Sequence, residues 1–296
     1  MDGMVDATPR VRRFPLPSRG GEMAALEFGP AERDLDLIFC HANGFNAQTY
    51  RTILAPLATT LRILAIDLRG HGATTLPTVL ENRPGWAEYR DDLLALLPHV
   101  ASRPVVVAGH SMGATTSLMA AAEDPARIAR LVLFDPVLSP DRTELAPVDL
   151  AQWPLVQGAL RRRPVFDSRE AALAAYQGRG AFKTWSGEQL ADYVAAGFRD
   201  LEDGRVELAC APAWEASNFS VYDGQAWAAA QTCPRPVRIF RAEQGSTCRI
   251  DDHIENLTAT GRYRIETVPG TSHFLPMERP DLVREALAQA VGEVAA

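Results

Sequence analysis

The sequence Gly-His-Ser-Met-Gly at residues 109–113 constrains this chain more than any other segment. It follows the apolar run 104–108, which predicts a buried strand, and leads into 112–123, whose small apolar residues predict a helix. A strand that passes directly into a helix needs a tight turn, and the two glycines leave room for close packing. Ser111 is therefore expected at strained backbone angles, beside a helix N-terminus whose free N–H groups stabilise developing negative charge.

A histidine near the C-terminus is the candidate base for this serine. A serine hydroxyl is barely acidic, so a nucleophilic serine needs a base, a group that orients the base, and donors for an oxyanion. Residues 263–268 predict a strand, and His273 follows in a loop that precedes a final helix, predicted from 280 to 293. His273 is thus placed at a strand–helix junction late in the chain, where such a base is expected.

Two further strand ends carry distinctive turns. His-Ala-Asn-Gly-Phe at 41–45 follows the strand predicted at 35–40, and Asp-Leu-Arg-Gly-His-Gly at 67–72 ends another apolar run. Together with 109–113 and the loop of His273, these segments resemble the α/β-hydrolase superfamily, lidded serine esterase type, over nearly the whole chain. The resemblance implies an α/β fold with a mostly parallel eight-stranded sheet flanked by helices, and a helical lid inserted after the sixth strand.

The resemblance also implies roles for four residues. Ser111 would be the nucleophile and His273 the base. The backbone N–H groups of Asn43 and Met112 would form the oxyanion hole, the latter because it directly follows the nucleophile. No metal or organic cofactor is needed for this chemistry.

The loop at 41–45 departs from the family's usual His-Gly-x-Pro turn, since Ala42 and Gly44 replace the glycine and the proline. Its histidine, His41, is expected to make structural hydrogen bonds rather than to take part in chemistry. His71, in the 67–72 turn, is likewise expected to brace a loop.

The acid that orients the base is missing from its usual place. Family members usually place Asp after the strand that follows the lid, but here that strand is 236–241 and Gly245 occupies the position. Some members take the acid from the end of the strand that follows the nucleophile's helix. Here that strand is predicted at 131–134, and Asp135 follows it, at the carboxyl end of a parallel strand, where ligands bind in open α/β sheets. Asp135 is therefore the predicted acid, although its Asp-Pro pair is also typical of a simple turn. The alternatives, in order, are Glu243, Asp251 and Asp252.

Strand–helix alternation predicts the domain organisation. Strands alternate with helices up to about residue 136 and again from 236, which indicates a parallel sheet with right-handed crossovers. Residues 1–136 and 236–296 are accordingly predicted to form the hydrolase core, and residues 137–235 the helical lid. In the lid only helices and turns are expected. The helices predicted there are 168–177, 186–198 and 220–230.

The lid segment is rich in aromatic residues. Its tryptophans are Trp153, Trp185, Trp214 and Trp227. Such side chains line apolar acyl or aryl pockets, but a small helical lid also needs aromatics for its own core. The three arginines at 161–163 are candidate partners for a substrate carboxylate, although a solvated charged face is the simpler interpretation. Glu215 is a candidate to face the pocket, but contact with solvent or an ion pair with an arginine is the simpler interpretation.

The charge balance and the absence of targeting signals limit the function classes. With 30 Lys and Arg against 37 Asp and Glu, the formal net charge is −7, which argues against nucleic-acid binding. No segment is long and apolar enough for a bilayer, and no apolar signal-peptide core is present, so a cytoplasmic location without membrane association is expected. The four cysteines have no metal-ligand spacing. The expected partner is a small molecule with an apolar acyl or aryl part, and the oligomeric state is left open.

Three functions remain open from the sequence. The favoured one is a serine hydrolase of carboxylic esters, lactones or small amides, which acts through a Ser-His-acid triad and an acyl-enzyme. The second is carbon–carbon bond hydrolysis or other non-ester chemistry on the same fold, which a buried lid arginine would favour. The third is a non-catalytic ligand-binding receptor, which the missing acid at Gly245 keeps open. Ser111 argues against dehalogenase or epoxide-hydrolase chemistry, which uses Asp there.

Overall fold

The computed structural model describes residues 8–140, 151–220 and 224–295. The strands in these ranges are β1 (Arg10–Leu16), β2 (Gly21–Phe28), β3 (Leu37–Cys40), β4 (Ile63–Ile66), β5 (Val105–His110), β6 (Ile128–Phe134), β7 (Val165–Phe166), β8 (Phe198–Asp200), β9 (Val206–Leu208), β10 (Val237–Ala242) and β11 (Tyr263–Val268). The α-helices are α1 (Arg51–Leu54), α2 (Ala87–Val100), α3 (Met112–Glu123), α4 (Pro154–Leu160), α5 (Arg169–Tyr176), α6 (Gly187–Ala196), α7 (Pro212–Ser220), α8 (Gln225–Thr232), α9 (Ile254–Ala259), α10 (Leu275–Glu278) and α11 (Pro280–Ala295).

The main sheet of the described chain has eight strands in the order β1-β2-β4-β3-β5-β6-β10-β11. The pairs β1–β2 and β2–β4 are antiparallel, and the other neighbours are parallel. The predicted α/β architecture with a mostly parallel eight-stranded sheet is therefore confirmed. Strands β5 and β6 are parallel neighbours in this sheet, so the turns at their carboxyl ends meet at one edge, where ligands bind in sheets of this kind.

Strand β5 shows why the central strands are continuously apolar. Val105 and Val107 pack into the core cluster on one face of the sheet, whereas Val106 and Ala108 pack into the cluster on the other. Side chains of α2, α3 and α8 belong to the first cluster, and side chains of α1 and α11 belong to the second. A parallel sheet covered on both faces has no polar face, and this rigid, buried platform holds the loops at its edge.

The segment between β6 and β10 contains more than the predicted helices. Helices α5 and α6 lie close to their predicted positions, but the described part of this segment also contains a small antiparallel sheet, β7-β9-β8. The expectation of helices and turns alone was therefore wrong. Strands of two or three residues are too short for an alternating pattern to appear in the sequence.

The predicted division into core and lid is only partly described. Residues 1–7 of the predicted core lie outside the described residues, as do 141–150 and 221–223 of the predicted lid. The last gap falls within the helix predicted at 220–230, whose first residue ends α7 and whose residues 225–230 belong to α8. No helix in the described ranges combines the length and the apolar character needed to cross a membrane.

Candidate active site

The turn at Ser111 is strained, and its two glycines are required by close packing. Ser111 has φ 55° and ψ −120°, a conformation that costs free energy for a non-glycine residue. A Cβ at Gly109 would lie 2.6 Å from the carbonyl carbon of Gly113. A Cβ at Gly113 would in turn clash with the carbonyl oxygens of Cys40 and His41. The glycines thus let α3 approach the end of β3, which brings the 41–45 loop beside Ser111.

The structure brings Ser111, His273 and Asp135 into one hydrogen-bonded line. His273 Nε2 lies 3.0 Å from Ser111 Oγ, and His273 Nδ1 lies 2.6 Å from Asp135 Oδ2. An ionised carboxylate only accepts, so Nδ1 carries the proton and Nε2 is left to accept the serine hydroxyl. Asp135 is fully buried, and it too has a positive φ, 43°. This is the arrangement of a nucleophile, a base and a group that orients the base.

The carboxylate of Asp135 is surrounded by donors from the loop after β10. It accepts hydrogen bonds from the Ala242 N–H at 2.9 Å, the Ser246 hydroxyl at 2.5 Å and the Thr247 N–H at 3.0 Å. Burial by itself would raise the pKa of Asp135, but the hydrogen bond and charge of His273, with those from Ser246 and Ala242, lower it below its ordinary value. The loop that has Gly245 in place of the family's usual acid therefore donates hydrogen bonds to Asp135, the acid that follows β6.

Ser246 and Thr247 were not identified from the sequence. They lie 111 and 112 residues from Asp135 along the chain. The signal available was their position, since two hydroxyl residues follow directly the glycine that replaces the expected acid.

The alternative acids do not reach His273. Glu243 is exposed and accepts from the Gly270 N–H at 2.9 Å. Asp251 pairs with Arg241 at 2.8 Å, and Asp252 is exposed. Of the four candidates, the structure places only Asp135 beside the histidine.

The N–H groups of Asn43 and Met112 lie in the 41–45 loop and at the start of α3, which close packing at Gly113 brings together. Met112 is the first residue of α3, where an N–H has no acceptor within the helix. Among the described residues, neither N–H donates a hydrogen bond to a protein acceptor. Both donors therefore meet the chemical requirement for an oxyanion site.

Two buried histidines brace these loops in their neutral form. His41 Nδ1 donates to the Ala42 carbonyl at 2.7 Å, while Nε2 accepts from the Leu68 N–H at 2.9 Å. His71 Nδ1 donates to the Arg69 carbonyl at 2.9 Å, while Nε2 accepts from the Gly44 N–H at 3.0 Å. Burial lowers the pKa of His41 well below its ordinary value and that of His71 to about 4. The structural role expected for both residues agrees with these contacts.

A second hydrogen-bonded chain, through His110, joins the 41–45 loop to the histidine loop. The Ala42 N–H donates to the Tyr50 hydroxyl at 3.2 Å, and this hydroxyl lies 2.8 Å from His110 Nδ1. His110 Nε2 donates to the carbonyl of His273 at 2.7 Å. Burial lowers the pKa of His110 to about 3, which keeps it neutral. Sequence reasoning missed this role, although the histidine inside the Gly-His-Ser-Met-Gly motif was a visible signal.

Aromatic side chains of the segment between β6 and β10, which we call the insertion, adjoin the site through Phe45. The ring centroid of Phe45 lies 5.1 Å from Trp185, 5.8 Å from Tyr193 and 6.2 Å from Phe274, the residue after His273. These rings form a wall that we call the aromatic wall: Phe45, Trp185, Tyr193 and Phe274. The other tryptophans with described contacts lie elsewhere, since Trp214 donates to the Arg69 carbonyl and Trp227 packs on His253.

The charged candidates of the insertion are paired with each other. Arg162 forms an ion pair with Glu215, and it donates to the Tyr193 hydroxyl at 2.6 Å. Burial alone would lower the pKa of Arg162, but Tyr193 and Glu215 raise it well above its ordinary value. Across the described ranges, no group of three or more His, Cys, Asp or Glu side chains is arranged to hold a metal ion.

A sequence model of the alpha/beta hydrolase family matches residues 37–286. The chain belongs to this family. The chain is 23% identical to a 2-(acetamidomethylene)succinate hydrolase of Mesorhizobium japonicum, over 86% of this chain and 87% of that protein.

Solved structures share the fold of this chain. A crystal structure of E-2-(acetamidomethylene)succinate hydrolase aligns with a TM-score of 0.76 and 21% identity, over 95% of this chain and 98% of that one. A thioesterase domain from the curacin biosynthetic pathway aligns with a TM-score of 0.75 and 16% identity, over 95% and 99%. At these identities the alignments show a common fold, and the substrate has to be argued from the site.

Proposed function

We propose that this protein is a serine hydrolase that cleaves carboxylic esters, lactones or small amides through an acyl-enzyme. The observation that carries the proposal is the continuous line of hydrogen bonds from Ser111 through His273 to Asp135, with distances of 3.0 and 2.6 Å. Side chains within hydrogen-bond reach and in this order are what activates a serine hydroxyl.

The proposed reaction uses only groups of this chain and water. His273 Nε2 takes the hydroxyl proton as Ser111 Oγ attacks the acyl carbon, and Asp135 stabilises the resulting imidazolium. The N–H groups of Asn43 and Met112 donate to the oxyanion. When the tetrahedral intermediate collapses, the imidazolium protonates the leaving group. Water, deprotonated by His273, then attacks the acyl-enzyme and releases the acid and the free serine.

The aromatic wall supports a substrate with an apolar acyl or aryl part. Trp185 and Tyr193 contact Phe45, which belongs to the loop that carries one proposed oxyanion donor. Trp185 also contacts Phe274, which follows the proposed base. Apolar walls with a few polar groups are typical of small-molecule sites. In this proposal the insertion acts as the lid that shapes the pocket.

The test is hydrolysis of p-nitrophenyl esters from acetate to dodecanoate, with labelling of the serine by a fluorophosphonate. We expect turnover and labelling in the wild type, and neither in Ser111→Ala. An unlabelled wild type would favour the ligand-binding alternative, because only an activated serine reacts with the probe.

Hydrolysis of a carboxylate-bearing substrate is the second candidate, favoured by the relative named for 2-(acetamidomethylene)succinate. A free buried arginine in the lid would strengthen this alternative, as it would for carbon–carbon hydrolysis. Arg162 is partly buried, but its guanidinium is already paired with Glu215 and Tyr193. We therefore expect p-nitrophenyl butyrate to be a better substrate than the monoester of succinic acid, and the reverse preference would support the second candidate.

A further inference from the structure

The side chain of Asn43 is held at both ends by helix α7 of the insertion. Its Nδ2 donates to the carbonyl of Glu215 at 3.0 Å, and its Oδ1 accepts from Nδ2 of Asn218 at 2.7 Å. Because a carbonyl only accepts, the amide nitrogen of Asn43 has to face Glu215, and its oxygen therefore faces Asn218. Helix α7 thus fixes the side chain whose own backbone N–H is the proposed oxyanion donor.

Asn218 is itself anchored to the core. It is fully buried, its Oδ1 accepts from the Tyr89 hydroxyl at 2.7 Å, and its carbonyl accepts from Trp86 Nε1 at 2.9 Å. A buried amide is costly unless its polar atoms are paired, and here they join helix α2 of the core to the 41–45 loop. The amide of Asn218 is therefore a rigid link between the two.

The same helix explains why Gly44 replaces the family's usual proline. Gly44 has φ +75°, whereas proline is restricted to φ near −65°. A Cβ at Gly44 would lie 2.7 Å from Oε1 of Glu215, whose charge is balanced by Arg162. The path of this loop and the packing of α7 are thus adapted to each other.

We propose that Asn218 is a positioning residue for the reaction. Acting through the side chain of Asn43, it holds the Asn43 N–H toward the oxyanion that forms on the substrate of Ser111. This inference rests on the proposed function. Displacement of a donor by about 1 Å costs on the order of 100-fold in rate, so the link matters for turnover even though Asn218 does not touch substrate.

The test is Asn218→Asp, which keeps the shape but replaces the donor that faces Asn43 Oδ1 with a carboxylate oxygen. We expect kcat for p-nitrophenyl butyrate to fall about 10- to 100-fold with KM within twofold. Affinity for phenylboronic acid, which forms a tetrahedral adduct on an activated serine, should fall by the same factor. Asn218→Ser serves as an uncharged second variant, and it should have no further effect in an Asn43→Ala background because the link is already broken.

The matched control is Asn46→Asp. Asn46 is also buried, and its Nδ2 also bonds the insertion, at the Tyr193 carbonyl, but it does not contact Asn43. If both Asn218 variants reduce kcat and boronate affinity no more than this control does, or if the effects of Asn43→Ala and Asn218→Ser add, the positioning role is wrong.

Amide hydrogen exchange of residues 42–45 separates this inference from the proposed function. We expect faster exchange there in Asn218→Asp than in Asn46→Asp, whether or not esters are cleaved. A wild type without turnover or labelling would refute the proposed function, and the exchange rates would still decide the link. Equal exchange in the two variants would overturn it.

Discussion

The core half and the insertion half of the site are built in different ways. In the core half, Asp135 directly follows β6, Ser111 directly follows β5, and the two strands are hydrogen-bonded neighbours, so the spacing of a parallel sheet fixes their separation. In the insertion half, Asn218 reaches Asn43 from 175 residues away along the chain, and only side-chain contacts hold it there. The first half is positioned by backbone, and the second by packing.

Because the two halves are held differently, substitutions in them should have effects of different size. Ser111 and Asp135, two members of the proposed triad, lie in strained turns on a rigid sheet, so their removal should eliminate steps of the proposed reaction. Side chains of the insertion contribute contacts that neighbours partly replace, so their removal should change rates or KM by smaller factors.

Ser111→Ala should have the largest effect. Loss of the nucleophile is expected to reduce kcat for p-nitrophenyl butyrate by about 10,000-fold or more, since only the oxyanion donors and binding remain. Thermal unfolding should stay within about 2 °C of the wild type, because the hydroxyl is removed without a cavity. Ser117→Ala, which removes another buried hydroxyl of the same helix region, is the matched control and should keep its turnover. Retention of a tenth of the activity in Ser111→Ala would exclude the acyl-enzyme.

Asp135→Asn should follow, with a loss of about 1,000- to 10,000-fold in kcat. The amide presents an N–H or a single carbonyl to His273 and no longer holds the proton on Nδ1, so Nε2 cannot act as the base. The comparison variant is Glu243→Gln, which alters the alternative acid and should leave kcat within twofold. If Glu243→Gln lost activity and Asp135→Asn did not, the acid would belong to the loop after β10. The readout for both is steady-state hydrolysis with thermal unfolding as the check on folding.

The same contrast explains which parts of the site could be predicted from the sequence. Ser111 and His273 were visible because a local motif, flanked by a strand and a helix, places each of them. Asp135 was predicted from the family resemblance rather than from a local motif, since its partner His273 lies 138 residues away. Asn218, Ser246 and the contacts of Trp185 could not be found, because a long-range side-chain pair leaves no periodic signal. The strands β7 to β9 were missed for the related reason that two or three residues show no alternation.

The core half should also be the acid-sensitive half, because all six histidines lie outside residues 137–235. His71 has a folded pKa of about 4, and burial is the main cause, against about 6.5 when unfolded. Below pH 6.5, His71 binds a proton in the unfolded chain but stays neutral in the folded protein. The stability that is present above pH 6.5 is therefore lost as the pH falls toward 4. At pH 5 this amounts to about 2 kcal/mol from His71 alone.

Urea unfolding at pH 7.5 and pH 5 measures this contribution. The difference in the free energy of unfolding between the two pH values should be about 2 kcal/mol smaller in His71→Gln than in the wild type. The exposed His99→Gln is the control and should leave that difference unchanged. An unchanged difference in His71→Gln would mean that His71 does not remain neutral in the folded protein.

Trp185→Leu should have the smallest effect and should act on binding rather than on chemistry. The indole contacts Phe45 and Phe274 in the aromatic wall, and loss of about 50 Å² of apolar contact with a substrate corresponds to about 1.3 kcal/mol, or nearly tenfold in KM. We expect KM for p-nitrophenyl octanoate to rise by about that factor, KM for the acetate to change less, and kcat to stay within threefold. Trp227→Leu, whose ring packs on His253 instead, controls for the loss of an indole and should leave KM unchanged. If Trp185→Leu instead reduced kcat equally for all esters, the aromatic wall would position the loops of Asn43 and His273. The insertion half of the site would then contribute to the chemical step as well as to binding.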